Sequence, residues 1–292
     1  MSEIIQFLQA TFGSLVVIFT ASNLAVMGLQ ANIPEVIAGL KNKKTLVLIL
    51  VWGWLLGPAL GYLIAMVLPI SKPDVVGLLL YSLAPCAPFF PMMVKRARGD
   101  VSFASDLIPV VAVFTVVLTP LMAPLLIKGV TLDIGSLVKM FLLSILLPLI
   151  IGAVIKYYWE KVASKIFPAV NLIAKLSTLL TVAYAIVLYW REMIDTAGSF
   201  ALLSMTIFMV VMGLITYRFG FGMKENQRSV MSLGMLTRNG SVVLLAAFTI
   251  PNVDPRVVTY VIMFVIWSIV IAAIAARIFG RQAGKTATEN TK

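Results

Sequence analysis

The stretch Leu79-Leu80-Tyr81-Ser82-Leu83-Ala84-Pro85-Cys86-Ala87-Pro88-Phe89-Phe90-Pro91 constrains this chain more than any other. It lies inside an apolar run over 75–94, long enough to cross a bilayer. Pro85, Pro88 and Pro91 each lack an N–H, and each ring clashes with the carbonyl one turn back, at about 3 kcal/mol per helix-interior proline. Spaced this closely, the three cannot all occupy one regular helix. In hydrocarbon the released carbonyls find no water, so such a break survives only inside protein or beside a wet cavity. The segment is therefore expected to be two half-helices meeting near the midplane, a kind of junction at which transporters bind substrate. A proline-kinked structural helix is the plainer reading of the same residues.

Composition supplies the membrane. Of the 292 residues 61% are hydrophobic and 12% charged, where soluble domains carry about 25% charged residues. The chain is expected to be all-α and integral to a membrane, as a single domain over 1–281. A polar, small-residue-rich tail over 282–292 is expected to be disordered and cytoplasmic. The first apolar run is expected to be a retained helix, because Met1-Ser2-Glu3 carries no basic segment and no small-residue cleavage site follows. The net charge of +11 comes in small groups between apolar runs, a pattern that reports topology and speaks against nucleic acid. With no histidine and a single cysteine, Cys86, the chain cannot build a Ser–His or Cys–His pair, a cysteine-based metal site or an intrachain disulfide. No resident cofactor or metal site is expected.

Nine apolar runs of bilayer length can be counted, over 4–30, 45–68, 75–94, 101–127, 137–155, 169–190, 200–217, 229–250 and 257–279. Basic residues alternate between the loops, sixteen on one side against five on the other. Lys41, Lys43 and Lys44, then Lys95, Arg96 and Arg98, stand on the rich side, while Lys72, Lys128 and Arg256 stand on the poor side. By the positive-inside rule the N-terminus is outside and the C-terminus cytoplasmic. A plasma membrane, such as a bacterial inner membrane, is the expected location.

The run over 229–250 is interrupted as well. It contains Gly234-Met235-Leu236-Thr237-Arg238-Asn239-Gly240-Ser241, a polar stretch flanked by glycines with a charge near the middle of the span. Both interrupted runs are the second-to-last of a half, and they cross in opposite directions. Broken segments in matching positions point to an inverted-repeat transporter, with repeats over about 4–130 and 131–280.

Three ionisable residues fall inside apolar runs: Asp106, Lys175 and Arg238. Arg238 lies on the order of 15 Å from the cytoplasmic end of its run. A charge at a helix centre costs at least about 2.5–3.5 kcal/mol unless paired or wet. Its guanidinium is always charged and fits a carboxylate, so Arg238 is either a substrate-anion site or one half of a structural pair with Asp106. Asp106 could also couple transport to protons by releasing Arg238 when protonated. Lys175 either snorkels to the interface or lines a cytoplasmic vestibule. The N-termini of the second half-helices present unpaired N–H groups to the midplane, which favours an anion. The candidate substrate-binding set is Pro85, Cys86, Ala87, Pro88, Phe89, Thr237, Arg238, Asn239, Gly240 and Ser241, with Asn23 and Thr115 as polar positions on flanking helices. Interhelical bonding is the plainer role for Asn23, as bonding within its own helix is for Thr115.

Three patches carry a resemblance to a known family. Ala84-Pro85-Cys86-Ala87, followed after eleven residues by Gly99-Asp100-Val101, resembles the fourth helix of the bile acid:sodium symporter family. Asn23-Leu24-Ala25-Val26-Met27-Gly28-Leu29 resembles its Met-Gly-Leu helix, and Ser232-Leu233-Gly234-Met235 the start of its second crossing helix. The resemblance implies an inverted repeat divided into a mobile panel and a core, with two broken helices crossing in the core. It also implies carriage of bile acids, pantoate-like acids or other organic anions, usually with sodium. A nine-helix form with the N-terminus outside occurs in the family.

Sodium-coupled members have Pro-Gly-Gly-Thr-x-Ser-Asn where this chain has Pro85-Cys86-Ala87-Pro88-Phe89-Phe90-Pro91. They have Glu-x-Gly-Met-Gln where it has Ser232-Leu233-Gly234-Met235-Leu236. The oxygen donors for sodium are missing, and Arg238 is expected to stand where the ion's charge would be. The expected function is secondary transport of small organic anions by alternating access, with sodium coupling in doubt and a proton the other candidate ion. The alternative is a non-transporting receptor or regulatory protein on the same fold. An enzyme is not expected, and the sequence leaves open whether the protein is a monomer or a homodimer.

Overall fold

The computed structural model describes residues 3–127 and 133–289, all of them in helices or short connections. The boundary expected between the repeats, near 130, lies outside the described residues. The helices are α1 (Glu3–Gln30), α2 (Ile33–Lys41), α3 (Lys43–Leu50), α4 (Gly57–Val67), α5 (Lys72–Ser82), α6 (Phe90–Arg96) and α7 (Val101–Leu126). They continue with α8 (Ile134–Phe141), α9 (Leu147–Tyr158), α10 (Glu160–Ala197), α11 (Ala201–Arg218), α12 (Glu225–Leu236), α13 (Gly240–Phe248) and α14 (Pro255–Glu289). Turns of π-helix over Val51–Leu56 and Leu142–Leu146 join α3 to α4 and α8 to α9. Each ends beside a proline, Pro58 or Pro148, that cannot donate to a regular ladder.

Among the described residues seven continuous helices are long and apolar enough to cross a membrane. The two remaining apolar runs are the ones whose sequence argued for breaks, and they are broken: α5–α6 and α12–α13. Helices α3, α5 and α7 each open on a side-chain cap. Asn42 accepts from Thr45 N, Ser71 from Asp74 N, and Asp100 from Phe103 N, each satisfying an N–H that has no partner in its own helix.

Three stretches differ from the sequence reading. The 31–44 connection contains α2, which packs against α7. The run over 169–190 is part of a longer helix that begins at Glu160 and kinks at Tyr189 (φ −127°, ψ 20°). The stretch expected to be a disordered tail continues α14 as helix to Glu289. Gln282-Ala283-Gly284-Lys285-Thr286-Ala287 contains no proline, so nothing in it stops a helix already under way.

Two packing groups organise the molecule. α1 lies along α9 and α10. Ser22 Oγ and Ser177 Oγ approach to 3.2 Å between α1 and α10, and Asn23 Nδ2 donates to Thr178 Oγ1 at 3.3 Å. The second group is built around α5, α11, α12, α13 and α14. Its centre holds the buried stack of Tyr81 on Phe264, with ring centroids 3.9 Å apart, and Tyr81 Oη donates to Val261 O. At one end the loops rich in Lys and Arg come together: Asp100 N donates to Asn226 O, and Gln227 Nε2 to Asp100 Oδ2. This is the basic end.

Candidate functional site

The site is the place where the two breaks meet. Pro85 and Arg238 face each other as a two-residue antiparallel bridge, the sole piece of extended pairing among the described residues. Around it each break satisfies the other's backbone. Asn239 N donates to Ala84 O at 2.7 Å, and Cys86 N is shared between Gly234 O at 3.0 Å and Thr237 O at 3.1 Å. Thr237 Oγ1 accepts from Ala87 N at 3.3 Å and donates to Leu233 O at 2.7 Å. From a third helix, Thr119 Oγ1 reaches Leu83 O at 2.8 Å. Buried backbone groups released from a helix must find partners, and these are the partners. Cys86 carries φ +63°, a region that residues with a Cβ seldom enter. The two bonds from its N–H hold it there.

Asn239 opens α13. Its Oδ1 accepts from Val242 N and from Ser241 Oγ, the latter at 2.7 Å. A Cβ on Gly240 would collide with Val265 Cγ2 and stand 2.7 Å from Tyr81 Oη, so the glycine lets the start of α13 sit against both side chains. Pro88 and Phe89 form the half-buried turn that leads into α6.

Arg238 is 1% exposed. Its Nε, Nη1 and Nη2 make no hydrogen bond to any described residue. The guanidinium lies over the Phe208 ring, 5.0 Å from its centroid, a favourable placement for a desolvated cation. Gly57 makes room for it: a Cβ at that position would stand 2.9 Å from Nη2 and 3.0 Å from Ser82 O. The side chain therefore points into the second packing group, away from α1. Nothing in the local sequence marks Gly57 or Phe208 as its neighbours.

On the other side of the crossing, facing α1, is a narrow cleft. Leu24, Met27, Pro85, Cys86, Thr115 and Asn239 line it, together with Ile145 from the π-helical turn. It measures about 10 Å³, room for one water and not for an organic anion. Thr115 bonds back to Val111 O. Two wider clefts open at the ends of the bundle. One, of about 300 Å³, is at the basic end and is lined by Thr45, Asp100, Ser102, Asp106 and Gln227. The other, of about 650 Å³, is lined by Tyr62, Lys72, Asn252 and Asp254.

The structure thus brings Pro85, Cys86, Ala87, Thr237, Arg238, Asn239, Gly240 and Ser241 together, with Thr115 at the edge. It does not bring in Asn23, which bonds to α10 instead. Nor does it bring in Lys175, which is exposed on α10. The expected pair of Asp106 with Arg238 is not formed, since the guanidinium nitrogens have no hydrogen-bond partner and Asp106 belongs to the basic-end cleft. Helix direction explains this: Asp106 lies near the start of α7, while Arg238 sits at the crossing and turns towards α4 and α11.

A rice protein (Oryza sativa subsp. japonica), the probable sodium/metabolite cotransporter BASS2 of the chloroplast, is 28% identical over 158 residues. The match covers 54% of this chain and 38% of that protein, so the chain spans well under half of its relative's length. The sequence profile of the Sodium Bile acid symporter family matches residues 17–196, from α1 through the first break and into α10. With more than half of its length under that profile, the chain belongs to the sodium bile acid symporter family, a family of membrane transporters and not of enzymes.

Proposed function

We propose that this protein is a secondary transporter of small organic anions, bile-acid-like or pantoate-like carboxylates, working by alternating access. In this reading the two broken segments also cross the membrane, which gives nine crossings and two inverted repeats. α1 with α8, α9 and α10 forms a panel, and the remaining helices form the core. The N-terminus is outside and the basic end cytoplasmic, in a plasma membrane. The observation that carries the reading is Arg238, a buried cation at the junction of two broken helices with no anion among the described residues bonded to it. Asn239, Cys86 and the start of α13 stand between that charge and the cleft, where a carboxylate gains both the helix-terminal field and the fixed charge. The 10 Å³ cleft is then a shut state, and substrate enters when α1 and α9 move off the crossing.

Uptake of radiolabelled cholate and pantoate by proteoliposomes tests this. Saturable, protein-dependent uptake of either supports it. Saturable binding to the purified protein with no movement across the membrane would favour the receptor reading instead.

A further inference from the structure

The family and the rice relative are named for sodium, so the crossing can be asked whether it suits that ion. Transporters hold sodium with unwound carbonyls and side-chain oxygens at such breaks. Here five of those oxygens already accept hydrogen bonds from the protein. Leu83 O takes Thr119, Ala84 O takes Asn239 N, and Gly234 O and Thr237 O share Cys86 N. Asn239 Oδ1 takes Ser241 and Val242, and the same turn carries the Arg238 guanidinium, seated over Phe208. A second cation next to it would be repelled at short range in a poorly screened interior. The residues present do not fit sodium.

We infer that Arg238 is a tethered counter-cation in place of sodium, and that the protein is a sodium-independent anion exchanger. The inference rests on the anion-transport reading above. A cotransported sodium ion leaves with its anion, so the carrier returns without either charge. Arg238 cannot leave, because it is part of the chain. Loaded with a monocarboxylate, the core carries Arg238 and the anion together with no net charge between them. Emptied, it holds an uncompensated positive charge inside the bundle, among Phe208, Gly57 and Ser82. A lone charge at that depth opposes the empty return, which is therefore slower than the loaded one. The carrier therefore turns over quickly when an anion waits on each side, and slowly when one side has none.

Full-length protein in proteoliposomes, given external radiolabelled cholate or pantoate, makes this measurable. The vesicles are filled with the unlabelled anion or left without it, in sodium or in choline salts. Uptake is expected to rise at least about tenfold when anion is inside and to be the same in both salts. Arg238→Lys should keep the acceleration in part, and Arg238→Gln should lose it. Uptake that needs sodium, or that proceeds equally fast into empty vesicles, overturns the inference and leaves anion transport standing. No movement of either anion under any condition overturns the anion-transport reading and this inference with it. A measurement free of variants and flux stands beside these. The melting midpoint of the unmodified protein should be equal in sodium and choline, and a saturable, sodium-specific rise overturns the inference.

Discussion

The two breaks that meet at the crossing are made in opposite ways. The break between α5 and α6 has two prolines, with a third in the first turn of α6, and no charge, whereas the break between α12 and α13 has a charge and no proline. The first is dictated locally, because Pro85 and Pro88 have no N–H to continue a helix. The second is not. Every residue from Leu236 to Gly240 keeps its donor, and Thr237 N still bonds to Leu233 O. It opens because its backbone serves the other segment: Asn239 N goes to Ala84 O, and the carbonyls of Gly234 and Thr237 receive Cys86 N. One break is intrinsic and the other is held open by it. The dependent break carries the charge, so its position is set by tertiary contacts.

That asymmetry predicts that stability and transport separate most sharply at Arg238. A buried charge without a partner opposes folding, and replacing buried ionic groups by apolar ones of similar volume is commonly neutral or stabilising by about 1–4 kcal/mol. Arg238→Met should therefore raise the melting midpoint while transport falls to background. A large fall in the midpoint would mean that the guanidinium is a structural partner and not a functional charge.

The room for that charge can be taken away from the opposite wall. Gly57→Val places side-chain atoms within contact of Nη2 and Ser82 O. Overpacking of this kind costs about 1–3 kcal/mol. Thermal unfolding should show the loss, and the double variant Gly57→Val with Arg238→Met should recover part of it, since the coupled pair shares one space.

A smaller effect is expected at the cap of the dependent break. Asn239→Ala removes the acceptor for Val242 N and Ser241 Oγ, and loss of an N-cap costs about 1 kcal/mol. Asn239→Asp retains the acceptor, so its unfolding midpoint should lie above that of Asn239→Ala. The reverse order would show that the amide is needed for something other than capping.

How much of this was legible follows from the same contrast. Pro85, Pro88 and Pro91 announce their break to any reader of the sequence, because the missing N–H is a property of the residue. Gly234, Arg238 and Gly240 mark the second break only as an interruption in an apolar run, and the seven continuous helices follow from run length alone. Which way Arg238 points is absent from the sequence. Its neighbours Gly57 and Phe208 come from α4 and α11, far away along the chain. The Asp106 pair was a reasonable expectation from depth, and it failed because depth does not fix the direction of a side chain around a helix. α2 and the helical stretch to Glu289 lie outside every apolar run of bilayer length, so run length alone does not announce them.

The smallest expected effect tests the intrinsic break itself. Pro88 lies in the turn between the half-helices, half-buried, and Pro88→Ala gives its position back an N–H. If a single proline made the break, this change would let α5 and α6 grow towards each other and disturb the crossing. It should not, because Pro85 still lacks a donor and the groups on either side of it are engaged by Asn239, Thr237, Gly234 and Thr119. What remains is the greater freedom of the unfolded chain when a proline is removed, about 0.4–1 kcal/mol. The midpoint should fall by that small amount and anion exchange should be unchanged. A large loss of exchange would place Pro88 in the substrate path, and a large loss of stability would mean that the break depends on each proline separately and not on the hydrogen bonds between the two segments.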